Sequence, residues 1–269
     1  VKADVVFQGT RSPTMFVAAL SLALDIPVIG VRADAVNMSQ SERDFYNANL
    51  AAQWTPHPGT PSELATYREI LRQLGVPLSC LRARLWLPPA AKAEADALWA
   101  QSGLTPENTV AIFCGGGAAY RHCFFVGEAL IQCCQKHNLA VVALGSSHEF
   151  EINEKNILAL RNQGIVAINF SGRTDFLASA ALLARCRLAV GVDTSLAHAA
   201  AALQVPQVIL SGGAHLGRFI PSSERTLAFC LPLECAGCNW NCRYGERYCL
   251  TGIRPDCFAQ AVEVALTDA

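Results

Sequence analysis

Four cysteines, Cys235, Cys238, Cys242 and Cys249, fall within fifteen residues of one another. Thiolates so spaced can meet around one tetrahedral ion such as zinc, or around iron. The C-x-x-C pair at Cys235 and Cys238 is the usual opening of such a site, because a knuckle turn places both sulfurs on one ion. Gly237 and Gly245 allow the tight turns that wrapping an ion demands. A set of disulfides or free thiols is the competing reading. Cys257 opens a predicted helix further on and is expected outside the ligand set.

Three other stretches put glycines or polar side chains directly after apolar runs. Cys114-Gly115-Gly116-Gly117 is followed by Arg121. Glycines let a backbone approach a phosphate, a following helix N-terminus favours an anion, and an arginine can add a bidentate contact. An ordinary tight turn would read the same, and the spacing is not that of a P-loop. Gly145-Ser146-Ser147-His148-Glu149 ends on a carboxylate. Glu149 either binds a ribose or sits at a helix start, where its charge suits the dipole. In Val192-Asp193-Thr194-Ser195-Leu196-Ala197-His198, Asp193 and Thr194 are natural N-caps. His198 lies one turn on, along a helix that is otherwise nearly all alanine, which permits close approach of a ligand. A capped helix with a histidine in the core is the alternative. No G-x-S-x-G or H-E-x-x-H occurs.

Each of these turns needs a strand to carry it. Apolar runs at Thr109–Phe113, Ala140–Leu144, Ile165–Phe170, Leu188–Val192, Gln207–Leu210 and Thr226–Leu231 read as strands. Helical patterns separate them, at Ala90–Gln101, after Gly115-Gly116-Gly117 through about Gln135, from about His148, at Thr174–Arg185 and at Thr194–Leu203; Asp256–Leu266 closes the chain. Strands alternating with helices imply right-handed βαβ units, hence an α/β fold with a doubly wound parallel sheet. Ligands then belong at the carboxyl ends of the strands, where the three turns lie. The first 80 or so residues offer two strands, Asp4–Gln8 and Ile26–Val31, and two helices, Thr14–Leu24 and Ser62–Leu74, the second capped by Ser62. Two strands are too few for a three-layer domain. Residues 1–85 are therefore expected to be a partial Rossmann-like domain and residues 86–269 a second one. Leu85-Trp86-Leu87-Pro88-Pro89 reads as the linker.

Composition narrows the classes. The 269 residues are 52% hydrophobic and 16% charged, enough apolar content to exclude wholesale disorder. A net charge of −1 gives no case for a nucleic-acid partner. The most apolar early stretch, Met15–Val31, contains Ser21, Asp25 and Pro27, so no transmembrane segment is expected. No signal peptide is visible at Val1-Lys2-Ala3-Asp4. Twelve cysteines in a chain that is neither short nor loop-rich point to a reducing, cytoplasmic setting. The seven scattered from Cys80 to Cys230 are expected as small core hydrophobes.

The run from Ser171 to Pro206, SGRTDFLASAALLARCRLAVGVDTSLAHAAAALQVP, resembles the C-terminal signature of glycosyltransferase family 9, the ADP-heptose transferases related to lipopolysaccharide heptosyltransferases. That signature has G-x-T-x-L before a helix, then a strand, then D-[ST]-G-x-x-H-x-A-x-A-L-x-x-P. The tail C-x-x-C…C…C-[ML]-x-x-I-x-P, found in part of the family, matches through Ile253 and Pro255. In autotransporter-modifying members a similar cluster resembles an iron site.

The resemblance implies a GT-B arrangement of two Rossmann-like domains, with an incomplete N-terminal half here. It places the donor on the C-terminal domain. It assigns Gly116 and Gly117 to the phosphate turn, Arg121 to the position of a phosphate-binding lysine, and Glu149 to the ribose. Asp193, Thr194, Ser195 and His198 fall on the donor-binding motif. Ser195 stands where the family has glycine, and Arg121 is followed by His122-Cys123-Phe124 rather than R-W-P. The implied reaction moves a sugar from a nucleoside-diphosphate donor, ADP-heptose by resemblance, to a hydroxyl of a glycan, a lipid-linked glycan such as lipopolysaccharide, or a protein. A cytoplasmic enzyme reaching the inner membrane face through its acceptor follows, with one structural metal ion, zinc or iron, and a homo-oligomer left open. A carboxylate must deprotonate the acceptor. The family's base precedes these residues, and Asp34 and Asp44 qualify by chemistry alone. Two alternatives stand beside this: a non-catalytic nucleotide-binding scaffold, and a nucleotide-sugar epimerase, which lacks support because no G-x-G-x-x-G opens the chain and no Tyr-x-x-x-Lys occurs.

Overall fold

The computed structural model describes residues 3–34, 38–56, 62–77, 82–117, 121–221 and 223–267. Cys80 lies outside them. The chain divides into two compact units, residues 1–81 with 217–219, and residues 82–216 with 220–269.

The larger unit is built on six strands: β4 (Thr109–Phe113), β5 (Ala140–Ala143), β6 (Ala167–Asn169), β7 (Leu188–Val192), β8 (Gln207–Leu210) and β9 (Thr226–Phe229). They form one sheet in the order β6-β5-β4-β7-β8-β9, and every pairing is parallel. Counted within the unit this is 3-2-1-4-5-6, the order of doubly wound dinucleotide-binding sheets, whose crevice opens where the winding reverses, between the first and fourth strands. Here that point lies between β4 and β7. The glycine turn leaves β4 there, and the Asp193-Thr194 turn leaves β7 beside it.

Alternation along β4 explains the two layers of helices. Val110 and Ile112 face one core, against α5 (Val126–His137), α6 (Phe150–Arg161) and α10 (Pro255–Thr267), with Leu130, Leu160 and Phe258 packed there. Ala111 and Phe113 face the other, against α4 (Pro89–Ser102), α7 (Phe176–Leu183) and α8 (Ser195–Ala202), with Trp99 and Leu182. A strand buried on both faces is nearly all apolar, so β4, β7 and β8 read as near-continuous apolar runs, with Thr109 and Gln207 as hydrogen-bonded polar starts, and their expected spans match those observed. Gly191, paired with Phe113, is required: a Cβ there would lie 2.2 Å from the Phe113 carbonyl oxygen.

The smaller unit has three parallel strands in sequence order, β1 (Val6–Gln8), β2 (Val28–Val31) and β3 (Ala52–Trp54), with α1 (Met15–Leu24), α2 (Gln40–Ala48) and α3 (Glu63–Gln73). Ser62 caps α3, its hydroxyl accepting from the Ala65 N–H at 3.0 Å. Two elements depart from the sequence expectation of two strands and two helices. β3 is three residues with Ala52 and Gln53 exposed, so it carries no apolar pattern. α2 was legible in principle: Ser39 and Glu42 form a capping box, the Ser39 N–H donating to Glu42 at 2.8 Å.

Candidate donor site and cysteine pocket

A cleft of about 730 Å³ opens at the carboxyl ends of the larger sheet. Its size falls in the range of small-molecule sites, roughly 300–1,000 Å³. Gly116, Gly117, Arg121, Glu149, Thr194 and Ser195 all line it. The structure thus brings together six of the eight expected donor residues, from turns that are far apart in the chain.

Glycine geometry makes the cleft. A Cβ on Gly116 would lie 3.2 Å from the Arg121 Cβ and 3.4 Å from the Thr194 Cγ2, so arginine and threonine close on the same turn. A Cβ on Gly115 would lie 2.8 Å from the Glu149 Cγ. Gly145, at φ +158°, backs onto the same carboxylate, with Glu149 Oε2 at 3.0 Å from its would-be Cβ. Glu149 Oε2 accepts from the Ser146 N–H at 2.7 Å and the Ser146 hydroxyl at 2.9 Å, closing a capping box over the turn Ser147–Glu149 ahead of α6. The residue is therefore both a cap and a wall of the cleft.

Thr194 corrects the expectation of a side-chain cap. It occupies the N-cap position of α8, but its hydroxyl makes no cap hydrogen bond. Among the described residues, Thr194 Oγ1 and Arg121 Nε are both buried without a hydrogen-bond partner. A buried polar atom left unpaired costs roughly 1–3 kcal/mol, and two at one glycine turn call for a ligand that pairs them. Asp193 and His198 do not line the wide cleft. His198 Nε2 lies 3.4 Å from the Asp193 carboxylate, and its side chain is half exposed, so the reading of His198 as a core histidine falls. Asp193 instead lines, with Arg121 and Trp240, a separate cavity of about 10 Å³.

The two acidic candidates for a base differ in setting. Asp34 accepts from the Ser12 hydroxyl at 3.0 Å and pairs with Arg218 at 2.6 Å. Arg218 also pairs with Glu63 at 2.7 Å, and Arg11 joins Glu63 at 3.1 Å. Asp44 is exposed on α2 and accepts from Gln40 at 2.8 Å.

Residues 127–246 match the model of "Glycosyltransferase family 9 (heptosyltransferase)". Over this stretch the chain is similar to that family. No curated protein matches the chain in sequence. Solved structures match its fold. One is the family 9 glycosyl transferase of Veillonella parvula, 15% identical with a TM-score of 0.77, covering 100% of this chain and 75% of its own. A second is the E. coli heptosyltransferase WaaC with ADP-2-deoxy-2-fluoro heptose, 16% identical with a TM-score of 0.61, covering 100% and 73%. A third is the iron-containing dodecameric glycosyltransferase TibC of enterotoxigenic E. coli, 13% identical with a TM-score of 0.51, covering 98% and 75%. The chain thus spans about three quarters of the length of each.

Within the stretch similar to family 9, two buried asparagines tie the strand ends below the cleft, and sequence reasoning missed both. Asn153 accepts from the Cys114 N–H at 2.9 Å and donates to the Leu144 carbonyl at 3.1 Å and the Ser171 hydroxyl at 2.7 Å. One side chain so ties the ends of β4, β5 and β6. Asn156, one turn on, accepts from the Gly127 N–H at 2.8 Å and donates to the Cys123 carbonyl at 3.0 Å, fixing the segment after Arg121. The available signal was polar residues recurring on the apolar face of α6, between Ile152 and Ile157.

The cysteine tail forms its own pocket. Cys235, Cys238, Cys242 and Cys249 line one cavity of about 10 Å³, the size of a single small body rather than an organic ligand. No three of the four sulfurs lie within 4.8 Å of one another. All the described cysteines are free thiols, which leaves the disulfide reading without a bridge among the described residues. Cys257 is exposed on α10. The scattered cysteines Cys114, Cys123, Cys133, Cys134 and Cys186 are buried. Burial pushes the Cys123 thiol up to about 11 and that of Cys134 to about 12, which keeps them inert. Cys133, His137 and Glu263 place their ligand atoms within 4.8 Å of one another, a group able to hold a metal ion. Glu263 accepts there from Cys133 at 3.3 Å, lies 2.9 Å from the His137 ring and pairs with Lys136. Lys136 and then His137 hold its carboxyl down at about 2, and the group ties α10 to α5. No described helix is long and apolar enough to cross a membrane.

Proposed function

We propose that the chain binds a nucleoside-diphosphate sugar, with ADP-heptose the best candidate, in the 730 Å³ cleft and transfers its sugar to an acceptor hydroxyl. The observation that carries this reading is the pair of buried, unpartnered donors, Arg121 Nε and Thr194 Oγ1, on either side of the Gly116 turn. A diphosphate supplies the acceptor oxygens both need. The N-terminus of α8 adds the positive end of a helix dipole and free N–H groups at the same place. Glu149 keeps Oε1 without a partner among the described residues, leaving lone pairs for a ribose hydroxyl. An adenosine donor is further supported by the WaaC structure, which holds an ADP-sugar analogue.

In the transfer, the acceptor oxygen bonds to the anomeric carbon as the bond from that carbon to the diphosphate oxygen breaks. The proton leaves to a base, and the nucleoside diphosphate departs with the electron pair. Arg121 and the start of α8 stabilise the charge that builds on the leaving group. Asp193, through its contact with His198, orders the turn behind them. Ser195, in place of glycine, adds a hydroxyl at the rim of the cleft.

The donor set of Cys235, Cys238, Cys242 and Cys249 suits a soft metal ion by its chemistry, since the four residues line one small cavity, and an ion would have to draw their sulfurs closer together than they stand. Such an ion, zinc or iron, would supply cross-linking of the tail rather than a step of the reaction; TibC is an iron-containing example. The acceptor belongs to a glycan, a lipopolysaccharide or a protein, met in the cytoplasm or at the inner membrane face. Association of several chains has a precedent in dodecameric TibC. A nucleotide-binding protein without transfer is the second reading, and the engagement of Asp34 by Arg218 favours it.

Calorimetric titration with ADP tests the site. The chain binds ADP, and Arg121→Ala weakens binding by about 10- to 150-fold, the worth of a charge-assisted phosphate contact. A folded chain that binds no nucleoside diphosphate overturns the reading.

A further inference from the structure

The cleft and the cysteine pocket are separate cavities, yet one side chain belongs to the surroundings of both. Trp240 lies between Cys238 and Cys242 in the chain and lines the cysteine pocket. It also lines, with Arg121 and Asp193, the small cavity behind the glycine turn. The Arg121 Cζ sits over the Trp240 ring, 5.0 Å from its centroid. The indole rests on Gly212 as well, just beyond β8: a Cβ there would lie 2.5 Å from Trp240 Cη2, so only glycine leaves room for the ring.

The loop holds Trp240 in an unusual backbone state. Asn239 and Trp240 have φ of +50° and +65°. Asparagine tolerates the left-handed region; a bulky aromatic rarely enters it and stays only where its surroundings enforce it. The enforcing contacts are visible. The Gly237 N–H donates to the Gly213 carbonyl at 2.8 Å and the Asn239 N–H to the Ala214 carbonyl at 3.1 Å, fastening the loop to the segment after β8. The Asn241 N–H donates to the Cys238 carbonyl at 2.9 Å and the Cys242 N–H to the Trp240 carbonyl at 2.9 Å.

We propose that Trp240 is a positioning residue for Arg121, and that the cysteine loop, by holding this indole, sets the affinity of the cleft for a diphosphate. The inference rests on the donor reading above. Its physical basis is the division of labour on a guanidinium. An aromatic ring attracts the flat face of the cation and accepts nothing along its edge. A carboxylate partner would consume the N–H groups that a phosphate needs. Trp240 restrains a long, rotamer-rich side chain while leaving its donors free, including the unpartnered Nε. Binding a diphosphate then costs less ordering of Arg121.

Calorimetry on the full chain, with ADP and with adenosine, separates positioning from mere packing. Trp240→Leu and Trp240→Ala weaken ADP by about 5- to 30-fold, the range of a partly desolvated cation–π contact, and leave adenosine unchanged. Trp240→Phe, which keeps an aromatic face, restores most of the loss. In an Arg121→Ala background, Trp240→Leu changes ADP affinity by about twofold or less, because the group it positions is gone. ADP binding unaffected by Trp240→Leu, or weakened equally with and without Arg121, overturns this inference alone. Absence of ADP binding by the unaltered chain overturns the donor reading, and this one with it.

Discussion

The candidate donor cleft and the cysteine pocket sit in the same unit but take their shapes from opposite sources. The cleft is bounded by the ends of parallel strands and by glycines that admit neighbouring side chains, and two fully buried asparagines tie those strand ends from behind. Its walls are built by the sheet itself, and under the proposed function a ligand pairs the two polar atoms that have no partner among the described residues. The cysteine pocket is bounded by residues 230–247, which form no helix or strand, and by α9 (Tyr248–Thr251), a single turn. Its four cysteines are partly exposed, and no core cluster contains them. A frame built by the sheet tolerates loss of its ligand; a loop built around thiols depends on what the thiols hold.

The sharpest way to break this contrast is to damage the frame itself. Asn153→Ala strands the Cys114 N–H and the Leu144 carbonyl in a dry interior. The cost is about 3 kcal/mol, a fall in Tm of roughly 6–12 °C, with weaker ADP binding because the ends of β4 and β5 are no longer tied. Thermal unfolding checks it. An unchanged Tm would mean that the cleft is not held by this side chain.

Metal removal addresses the other half. The metal content of protein purified under reducing conditions is expected near one equivalent of zinc or iron, lost in Cys238→Ser and kept in Cys257→Ser. A strong chelator then speeds proteolysis within residues 232–255 while the sheet keeps its cooperative unfolding, since binding energy at such a site is local folding energy. Metal-free protein with reducible cysteine crosslinks contradicts the site. Loosening of the whole unit at once contradicts the separation between frame and loop.

The parts that were legible in the sequence follow the same division. Double burial makes β4, β7 and β8 near-continuous apolar runs, so their limits and the parallel sheet can be read directly. The turns after them announce the cleft because glycine and N-cap residues have few other reasons to follow a buried strand. β3 escapes because an exposed three-residue strand has no pattern to read. α2 escaped although its Ser39–Glu42 capping box was in the sequence. Asn153 and Asn156 look like ordinary polar residues of a helix until the strand ends they bind are in place. Thr194 looks like a cap, and only the fold shows that its hydroxyl has no partner among the described residues. The meeting of Trp240 with Arg121 joins residues far apart in the chain, and no periodicity reports a contact of that kind.

The central claim is that the frame leaves Thr194 Oγ1 and Arg121 Nε unpaired for a diphosphate to satisfy. Thermal unfolding of Thr194→Val, with and without saturating ADP, tests it most directly. Valine keeps the methyl near Gly116 and removes only the unpaired hydroxyl. Without ADP the variant melts at the same temperature as the unaltered chain or roughly 2–4 °C higher, since a buried unsatisfied group worth about 1 kcal/mol is gone. With ADP its stabilisation is smaller than that of the unaltered chain. A variant that is less stable without ADP, yet gains as much from ADP, would contradict the account.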